Sequence, residues 1–583
     1  MKKKTLFLSL MAALMFSACS QDENTPESNG FDGETTTSYL TVNLVAAPNM
    51  GTRANYQDGT ATENKVTSVR FYFFDESGNA APVKQKSGTT GYDSYYDWTV
   101  TDDPSTGTDA PNVEKKLAAT LIIESPKSAE DKIPASVVAV INPPTIGLPE
   151  SPSLSDLNEI AADYSTLTDN KFVMSNSVYA KGGAKMEAVD VSEKIFSTRD
   201  AALLDPVVIY VERVLAKVSL NIGLTPHATT ANGVIYKTSS DGSYEYDNNE
   251  IYVKFLGWNV TATADQSYLM KSINQTWPNE LFSASEPWNF DAYFRSFWAI
   301  NPENVGYKYG AFNTNAQNHP NTADLIKDFE TGEGKENYTY VHENAAEANA
   351  ASPKTKTPTQ VIIAAQLVNK QGEPMEFAEW AGNKYTVEGL KLELADHAPL
   401  WKKGMVDDPK NPTGPKVEGR VKVEPSDIVI KTAVGSGQAV TEPGRYYVYA
   451  QLKDGVFKDG EWFADDHVGD GTAADPATPA ITLQEANAQL KKAGHAKVWQ
   501  KGMTYYYFDI KHLGAAGNPG EYGVVRNHLY NATITALSGL GTPVYDPEEV
   551  IYPEKPTPDD KYIAAEIKIL SWRLVPNNIE LKW

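Results

Sequence analysis

The chain has 583 residues, which at roughly 150 residues per domain is enough for two to four domains. Its 52 Lys and Arg stand against 75 Asp and Glu, and the resulting net charge of −23 disfavours nucleic acid as a partner, because an acidic surface repels phosphate backbones. The sequence has one cysteine, which excludes an internal disulfide, a cysteine-based zinc site and a CxxC redox motif.

The N-terminus has the pattern of a bacterial lipoprotein signal. Three lysines follow Met1, and the apolar run from Leu6 to Phe16 is shorter than the about 20 residues that a membrane-spanning helix needs. Two small residues stand directly before Cys19, which makes a lipobox. We predict that residues 1–18 are a signal peptide and that a lipid such as palmitate is attached to Cys19. The alternative is a signal peptide that happens to contain a cysteine.

A polar tether and a short strand come next. Residues 19–37 have little to bury, so they predict a flexible tether. Within residues 38–53, Leu40, Val42 and Leu44 alternate with polar residues, which is the period-two pattern of a half-buried strand.

Strand patterns also dominate the first part of the body. They predict a β-sandwich domain over residues 54–224 with one short helix. Its predicted elements are strands at 66–74, 116–123 and 136–141, a helix at 155–162, and strands at 172–174 and 207–222.

A second series of strands is separated by long loops rich in Gly, Asp and Pro. It predicts a larger β-sandwich domain over residues 225–545, so the fold class is mainly β, with two tandem β-sandwich domains and a few short helices. The predicted elements are strands at 251–260, 359–368 and 446–452, a helix at 483–492, and strands at 505–510 and 529–536.

The C-terminal residues 546–583 change in composition. Prolines among acidic residues predict a stiff linker, and an apolar strand follows it. Chain ends are normally polar, and an exposed apolar strand aggregates, so we expect this strand to stand away from the body and to need a partner. Its apolar residues on one face are Ile563, Ala565, Ile567 and Ile569. Past Ile569 the apolar residues change to the other face of the strand, with Leu570, Trp572 and Leu574, which suggests a bulge or a second short strand.

Residue patterns typical of catalysis are missing from the sequence. Its eight histidines show no recognised metal-ligand spacing, and nucleophile-elbow, P-loop and dinucleotide-binding motifs are absent. The cluster Asp465-Asp466-His467 with Asp470 lacks the spacing of a calcium loop, so we interpret it as a solvated acidic turn. We predict no enzymatic activity, no metal and no cofactor. A catalytic pair of carboxylates, brought together by two strands, stays an open alternative.

One aromatic cluster has two interpretations. It is either a platform that stacks against sugars or part of the core, where aromatic side chains contribute much of the buried area. Its members are Trp288, Phe290, Tyr293, Phe294, Phe297 and Trp298.

The order of these segments resembles the major fimbrial subunits of Bacteroidales, the fimbrillins that build type V pili, and the short-fimbria branch in particular. The resemblance covers nearly the whole chain except the loop insertions. Besides the lipobox and Arg53-Ala54, the segments that carry it are 170–176, 211–218, 338–344, 359–368 and, most specific of all, 522–530.

The resemblance implies a structural subunit of a cell-surface fimbria that supports adhesion, with transthyretin-like β-sandwich domains. It implies export as an outer-membrane lipoprotein and a cut between Arg53 and Ala54 by an arginine-specific surface protease. Removal of the strand with Leu40, Val42 and Leu44 then opens a groove, which a C-terminal strand of another copy fills. The implied partners are further copies of this chain, accessory fimbrial subunits, the protease and, before the cut, the outer membrane.

Three alternatives stay open at this point. A glycan-binding surface lipoprotein would share the signal, the tether and the β-sandwiches, but would not explain the apolar C-terminus. A tip or anchor subunit is an alternative within the family. Arg53 is also consistent with an ordinary exposed arginine, although its small and flexible neighbours suit a protease.

Overall fold

The structure is a computed structural model. It describes residues 35–46, 56–57, 59–83, 93–100, 116–126, 134–144, 147–165, 171–181, 184–238, 244–278, 281, 294–309, 325–330, 335–347, 355, 357–432, 447–470, 472–545, 564–568, 572–574 and 577–582. Across these ranges, no helix has the length and apolar character needed to cross a membrane.

The fold is mainly β, as the sequence predicts. The elements of the N-terminal part are short strands and two short helices: β1 (Thr35–Ala46), β2 (Tyr56–Gln57), β3 (Ser68–Phe74), β4 (Tyr95–Thr99), β5 (Lys116–Pro126), β6 (Ser136–Ile141), α1 (Leu154–Glu159), β7 (Ala161–Ala162), β8 (Met174–Asn176), β9 (Tyr179–Lys181), β10 (Ala184–Met186), β11 (Val189–Asp190), α2 (Arg199–Leu204), β12 (Val207–Arg213) and β13 (Ala216–Ile222).

The middle of the chain adds strands of two to ten residues. They are β14 (Ala228–Thr230), β15 (Gly233–Lys237), β16 (Glu245–Tyr246), β17 (Asn249–Glu250), β18 (Tyr252–Thr261), β19 (Thr263–Ala264), β20 (Ser267–Tyr268), β21 (Phe294–Arg295), β22 (Tyr307–Lys308), β23 (Thr339–Val341) and β24 (Gln360–Val368).

The remaining elements include two longer helices. They are β25 (Phe377–Trp380), β26 (Asn383–Tyr385), α3 (Val387–His397), β27 (Trp401–Val406), β28 (Val417–Lys422), β29 (Ile428–Thr432), β30 (Val448–Leu452), β31 (Trp462–Phe463), α4 (Leu483–Lys491), β32 (Lys497–Trp499), β33 (Met503–Asp509), β34 (His528–Ser538), β35 (Thr542–Pro543), β36 (Ala564–Lys568), β37 (Trp572–Leu574) and β38 (Asn577–Lys582).

Three sheets account for most of the strands. The first has the order β4-β3-β6-β8-β12-β1-β5, with β11 attached to β6. The second has the order β2-β37-β34-β13-β23, with β36 and β38 attached to β34, and the third has the order β14-β15-β18-β24-β33-β35.

The second and third sheets share one hydrophobic core. Leu220 and Tyr530 of the second sheet belong to the same buried cluster as Trp258 and Ile363 of the third sheet. Two sheets that enclose a common apolar core form a sandwich, because each has one face to remove from water. The first sheet contributes to a separate core, which includes Leu40.

The predicted strand at 207–222 is two strands in different sheets. β12 belongs to the first sheet and β13 to the second. Between them, the Val214 amide donates to the Val173 carbonyl, while the Leu215 carbonyl accepts from the Asn527 amide. Strand pairing therefore passes from one sheet to the next before residue 224, where the predicted domain boundary lies. The division into two domains remains a prediction.

The segment between β24 and β33 forms a third core of its own. Leu390 and Leu394 of α3 and Leu490 of α4 pack there with Val448 and Trp462. The predicted helix at 483–492 is confirmed as α4, and the hydroxyl of Thr482 caps its first turn. The segment is therefore a packed module inserted between two neighbouring strands of the third sheet.

Candidate assembly site

Strand β1 lies inside the first sheet, with a partner on each side. It runs antiparallel to β5 over Thr35–Val45 and parallel to β12 over Val42–Ala46. Among the named strands, β5 pairs only with β1. Loss of β1 would therefore leave the facing edges of β5 and β12 with unpaired N–H and C=O groups, which form a template for another strand.

Leu40, Val42 and Leu44 lie in β1, and the first of them is fully buried, while removal of this strand remains a prediction. Leu40 has 0% exposure and stands opposite Leu121 of β5. Val42 and Leu44 stand in register with Val207 and Ile209 of β12. Burial of a leucine side chain stabilises by roughly 1.5–3 kcal/mol, so release of β1 has an appreciable free-energy cost.

The predicted lipidation and cleavage residues, Cys19, Arg53 and Ala54, lie outside the described residues. Their position along the chain can still be compared with the elements on either side. β1, before the predicted cut, is in the first sheet, and β2, after it, is in the second. The predicted cut thus lies between segments that belong to different sheets.

The C-terminal strands differ from the expectation, because they are not held away from the body. All three pair with β34: β37 at His528 and Leu529, β36 at Asn531 and Ala532, and β38 from Thr533 to Ser538. The physical reason is that β34 offers the terminal segment a hydrogen-bonding edge within the same molecule.

The predicted donor residues are divided between these strands and the undescribed part of the chain. Ala565 and Ile567 lie in β36, where Ile567 is in register with Ala532. Trp572 and Leu574 lie in β37, where Trp572 is in register with Gln57 of β2. Ile563, Ile569 and Leu570 are outside the described residues.

The sequence analysis missed a buried ionic cluster around Glu63, which we call the junction cluster. It consists of Glu63, Asn64, Arg213, Lys217, Tyr340 and Asn527. The Glu63 carboxylate is 1% exposed, and its Oε1 accepts hydrogen bonds from Lys217 Nζ at 2.7 Å and from the Tyr340 hydroxyl at 2.6 Å. Burial alone would raise the pKa of Glu63, but Lys217, Tyr340 and Arg213 outweigh it and hold the pKa below its usual value.

Arg213, at the end of β12, connects the rest of the junction cluster. Its Nε donates to the Glu63 carbonyl at 3.1 Å, its Nη1 donates to Asn527 Oδ1 at 3.0 Å, and its Nη2 donates to Asn64 Oδ1. The planar, five-donor guanidinium thus reaches three acceptors on two segments, the turn with Glu63 and Asn64 and the loop with Asn527. The segments 211–218 and 522–530 were singled out by the sequence, but nothing in the loop around Glu63 signalled its burial.

A second set of buried charges includes Glu212 of β12 and Arg526 of the loop before β34. Glu212 pairs with Lys271 Nζ at 2.5 Å and with Arg295, and all three side chains are 3% exposed or less. Burial by itself would raise the pKa of Glu212, but the two cations lower it to about 2. Arg526, in the most specific motif, donates through Nε to Glu343 at 3.1 Å and through Nη1 to the Leu269 carbonyl at 2.9 Å.

The structure also shows the surroundings of the acidic turn and of two residues of the aromatic cluster. Within the described ranges, no group of three or more His, Cys, Asp or Glu side chains could hold a metal ion. Asp465 of the acidic turn accepts a hydrogen bond from Arg420 at 3.0 Å. Phe297 and Trp298 are buried, which favours core packing for these two aromatic residues. The side chains of the other four aromatic residues in that cluster lie outside the description.

Comparison with known proteins finds one family match. Residues 497–578 match the family described as "Major fimbrial subunit protein type IV, Fimbrillin, C-terminal". This range includes β33, β34, β36 and β37. No curated protein matches the chain.

Several solved structures are similar over most of the chain, at low identity. A fimbrilin, FimA, from Porphyromonas gingivalis W83 has 13% identity and a TM-score of 0.32, with 93% of this chain and 98% of that chain covered. The tip fimbrial protein Mfa3 from P. gingivalis has 12% identity and a TM-score of 0.25, with 93% and 99% covered. A fimbrial assembly protein from Parabacteroides distasonis has 10% identity and a TM-score of 0.27, with 58% and 87% covered. The family match therefore concerns residues 497–578 of this chain.

Proposed function

We propose that this chain is a fimbrillin and that it serves as a stalk subunit of a cell-surface fimbria that supports adhesion, because its residues 497–578 match the C-terminal model of the fimbrillin family. The family match supports a role as a fimbrial subunit. The finer proposal concerns how the subunits join, by exchange of a strand between copies. The observation that carries it is the position of β1 between β5 and β12.

The first step of the proposal is removal of β1. A surface protease specific for arginine cuts between Arg53 and Ala54, and β1 then leaves the first sheet. The groove between β5 and β12 is left with two unpaired edges and an empty place in the core that Leu40 filled. Such a groove binds an extended segment through main-chain hydrogen bonds, and pockets for alternate side chains fix its register.

The second step is the transfer of the C-terminal segment of another copy. β36 pairs with β34 at Asn531 and Ala532 and with β38 at Ala564 and Glu566, whereas β1 pairs with β5 along Thr35–Val45 and with β12 along Val42–Ala46. A strand that leaves β34 and β38 for the groove therefore exchanges two short ladders for two longer ones. This difference favours the exchange.

Repetition of this contact from copy to copy builds a filament. The groove is in the first sheet, and the segment that fills it starts from the second sheet. The two surfaces of the contact are different, so it is heterologous and leaves a free groove and a free donor at the ends of any assembly. Accessory fimbrial subunits are the proposed partners at those ends.

The proposal for the route to the surface rests on sequence alone. Lipidation of Cys19 places the precursor in the outer membrane, and the polar residues 19–37 separate the lipid from the folded body. The cut after Arg53 removes the lipid together with β1. The mature subunit is then held at the surface by its neighbours in the fibre.

The test is substitution of the arginine at the proposed cut. Arg53→Ala should leave a folded precursor that still contains β1 and forms no fibres, while Arg199→Ala, which changes an exposed arginine in α2, should assemble normally. Mass analysis of purified fibres should find subunits that begin at Ala54. Fibres in which most subunits still contain Leu40 would contradict the proposal.

A further inference from the structure

The two segments on either side of the proposed cut are held by different sheets. β1 pairs with β5 and β12 in the first sheet. After the cut, Tyr56 and Gln57 of β2 pair with Arg573 and Trp572 of β37, at the edge of the second sheet. Release of one segment therefore need not disturb the other, provided that the second has an anchor of its own.

The turn that follows β2 closes on itself around Glu63. The Thr60 amide donates to Glu63 Oε2 at 2.6 Å, and the Glu63 amide donates to Thr60 Oγ1 at 3.2 Å. The amides of Asn64 and Lys65 donate to the Thr60 and Thr62 carbonyls. These bonds fix the turn and leave the other carboxylate oxygen of Glu63 directed at partners elsewhere.

Three of the partners in the junction cluster lie on or beside strands of the second sheet. Lys217 is in β13, Tyr340 is in β23, and Asn527 directly precedes β34. Arg213 ends β12 at the point where the chain passes into the second sheet. The Lys217 ammonium also lies 4.1 Å from the centre of the Tyr338 ring.

The buried charge of Glu63 keeps the turn at residues 59–65 bound to the junction cluster. A buried carboxylate is tolerated only with its partners in place, because an unpaired charge in the interior is strongly destabilising. Chain ends normally fray, since few contacts hold them. A new chain end at Ala54 would be followed, nine residues later, by a carboxylate that cannot leave its site without separating from Lys217, Tyr340 and Arg213.

We propose that the junction cluster holds the residues after the cut on the second sheet, so that cleavage frees β1 from the first sheet alone. Glu63 is the positioning residue of the junction cluster. Before cleavage, residues 59–65 are held both by the cluster and through their covalent link to β1. After cleavage the cluster and the two-residue pairing of β2 with β37 are their anchors on the N-terminal side. The mature N-terminus then stays beside the second sheet and does not enter the opened groove.

The inference rests on the proposed function only for the position of the cut. It can be tested in the full chain with a recognition sequence for a specific protease placed between Met50 and Ala54. The measurement is hydrogen exchange of the amides of Thr60, Glu63, Asn64 and Lys65, before and after the engineered cut. This readout requires neither the natural protease nor fibre formation, so it can succeed or fail independently of the fimbrial proposal.

The native chain should show similar protection of these four amides before and after the cut. Glu63→Gln should change protection little in the uncut chain but should raise exchange by about tenfold or more after the cut, since it loses charge-assisted hydrogen bonds. Glu76→Gln, at an exposed glutamate, is the matched control and should behave like the native chain.

A second variant guards against failure of Glu63→Gln to fold. Tyr340→Phe removes one hydrogen bond to Glu63 but keeps the ring, whose centre lies 4.7 Å from that of Phe172, and it should give a smaller increase that also appears only after the cut. Equal loss of protection in the cut and uncut forms would show a general structural role and overturn the proposal. Unchanged protection in both variants after the cut would overturn it as well.

Discussion

At the scale of single residues, buried charges are gathered where β12 passes into β13. Glu63, Glu212 and Arg213 all lie there with 3% exposure or less. Each carries a desolvation cost of several kcal/mol that only well-placed partners offset. Polar side chains of this kind look like surface residues in a sequence, because lysine, glutamate and arginine are rarely buried. The segments 211–218 and 522–530 could be singled out, but their partners Glu63 and Lys271 could not.

Asp509, at the end of β33, gives a prediction for pH dependence. Burial raises the pKa of Asp509 to about 6, although the hydrogen bond from Gln360 Nε2 at 2.8 Å acts in the opposite direction. The value in an unfolded chain is about 3.9. The folded state therefore binds this proton more tightly, so the contribution to stability is complete below about pH 4 and is lost as the pH rises through 6.

We expect Asp509→Asn to raise the free energy of unfolding at pH 7.5 by roughly 1–3 kcal/mol, at 1.36 kcal/mol per pKa unit. The asparagine oxygen can still accept the hydrogen bond from Gln360, and no ionisation is needed at high pH. Denaturant unfolding at pH 7.5 and pH 4 measures the effect, which should nearly vanish at the lower pH. An equal effect at both values would contradict a role for ionisation.

At the scale of elements, the sequence located β1 within a few residues but missed α3. Leu390, Leu392 and Leu394 alternate with charged residues, which is a strand pattern. In the structure, Leu390 and Leu394 are buried four residues apart on one helix face, while Leu392 is 60% exposed. A period-two pattern over five residues cannot distinguish a strand from a helix. The packing of the inserted module determines that this segment is a helix.

The predicted strand at 207–222 shows a second limit. Most of its residues are apolar or β-branched, and the charged residues Glu212, Arg213 and Lys217 do not by themselves indicate that the strand ends before Val214 and Leu215. The break follows from hydrogen bonds to Val173 and Asn527, which belong to distant parts of the chain. The same limit applies to the C-terminus, where the sequence predicted an apolar strand but not its pairing with β34.

The C-terminal strands give a prediction at this scale. Deletion of residues 561–583 should leave a folded chain that is still cut after Arg53, because β34 keeps its pairing with β13. The truncated chain should form no fibres, since it has no strand to insert in a neighbour. Circular dichroism tests folding, and electron microscopy tests assembly. Fibres of normal length would show that another segment fills the groove.

At the scale of the whole molecule, the groove and the segment proposed to fill it belong to different sheets of one chain. The hydrogen bond from Arg213, at the end of β12, to Asn527, directly before β34, and the covalent connection between β12 and β13 join the two sheets. A load applied to a strand in the groove would therefore pass through β12 and β13 to β34, from which the C-terminal segment continues. The fimbrillin family match over residues 497–578 covers β34, at the end of this path.

The most direct test of strand exchange is a disulfide between copies. The chain's one cysteine precedes the proposed cut, so the mature subunit provides a cysteine-free background. Ala119→Cys places a thiol in β5 at the position that pairs with Val42, and single cysteines at successive positions from 563 to 569 sample the register of the inserted strand. The account predicts that, for alternate positions, oxidised fibres give ladders of covalently linked subunits under denaturing conditions. Fibres that assemble normally but give no ladder at any position would contradict exchange of this strand into the groove left by β1.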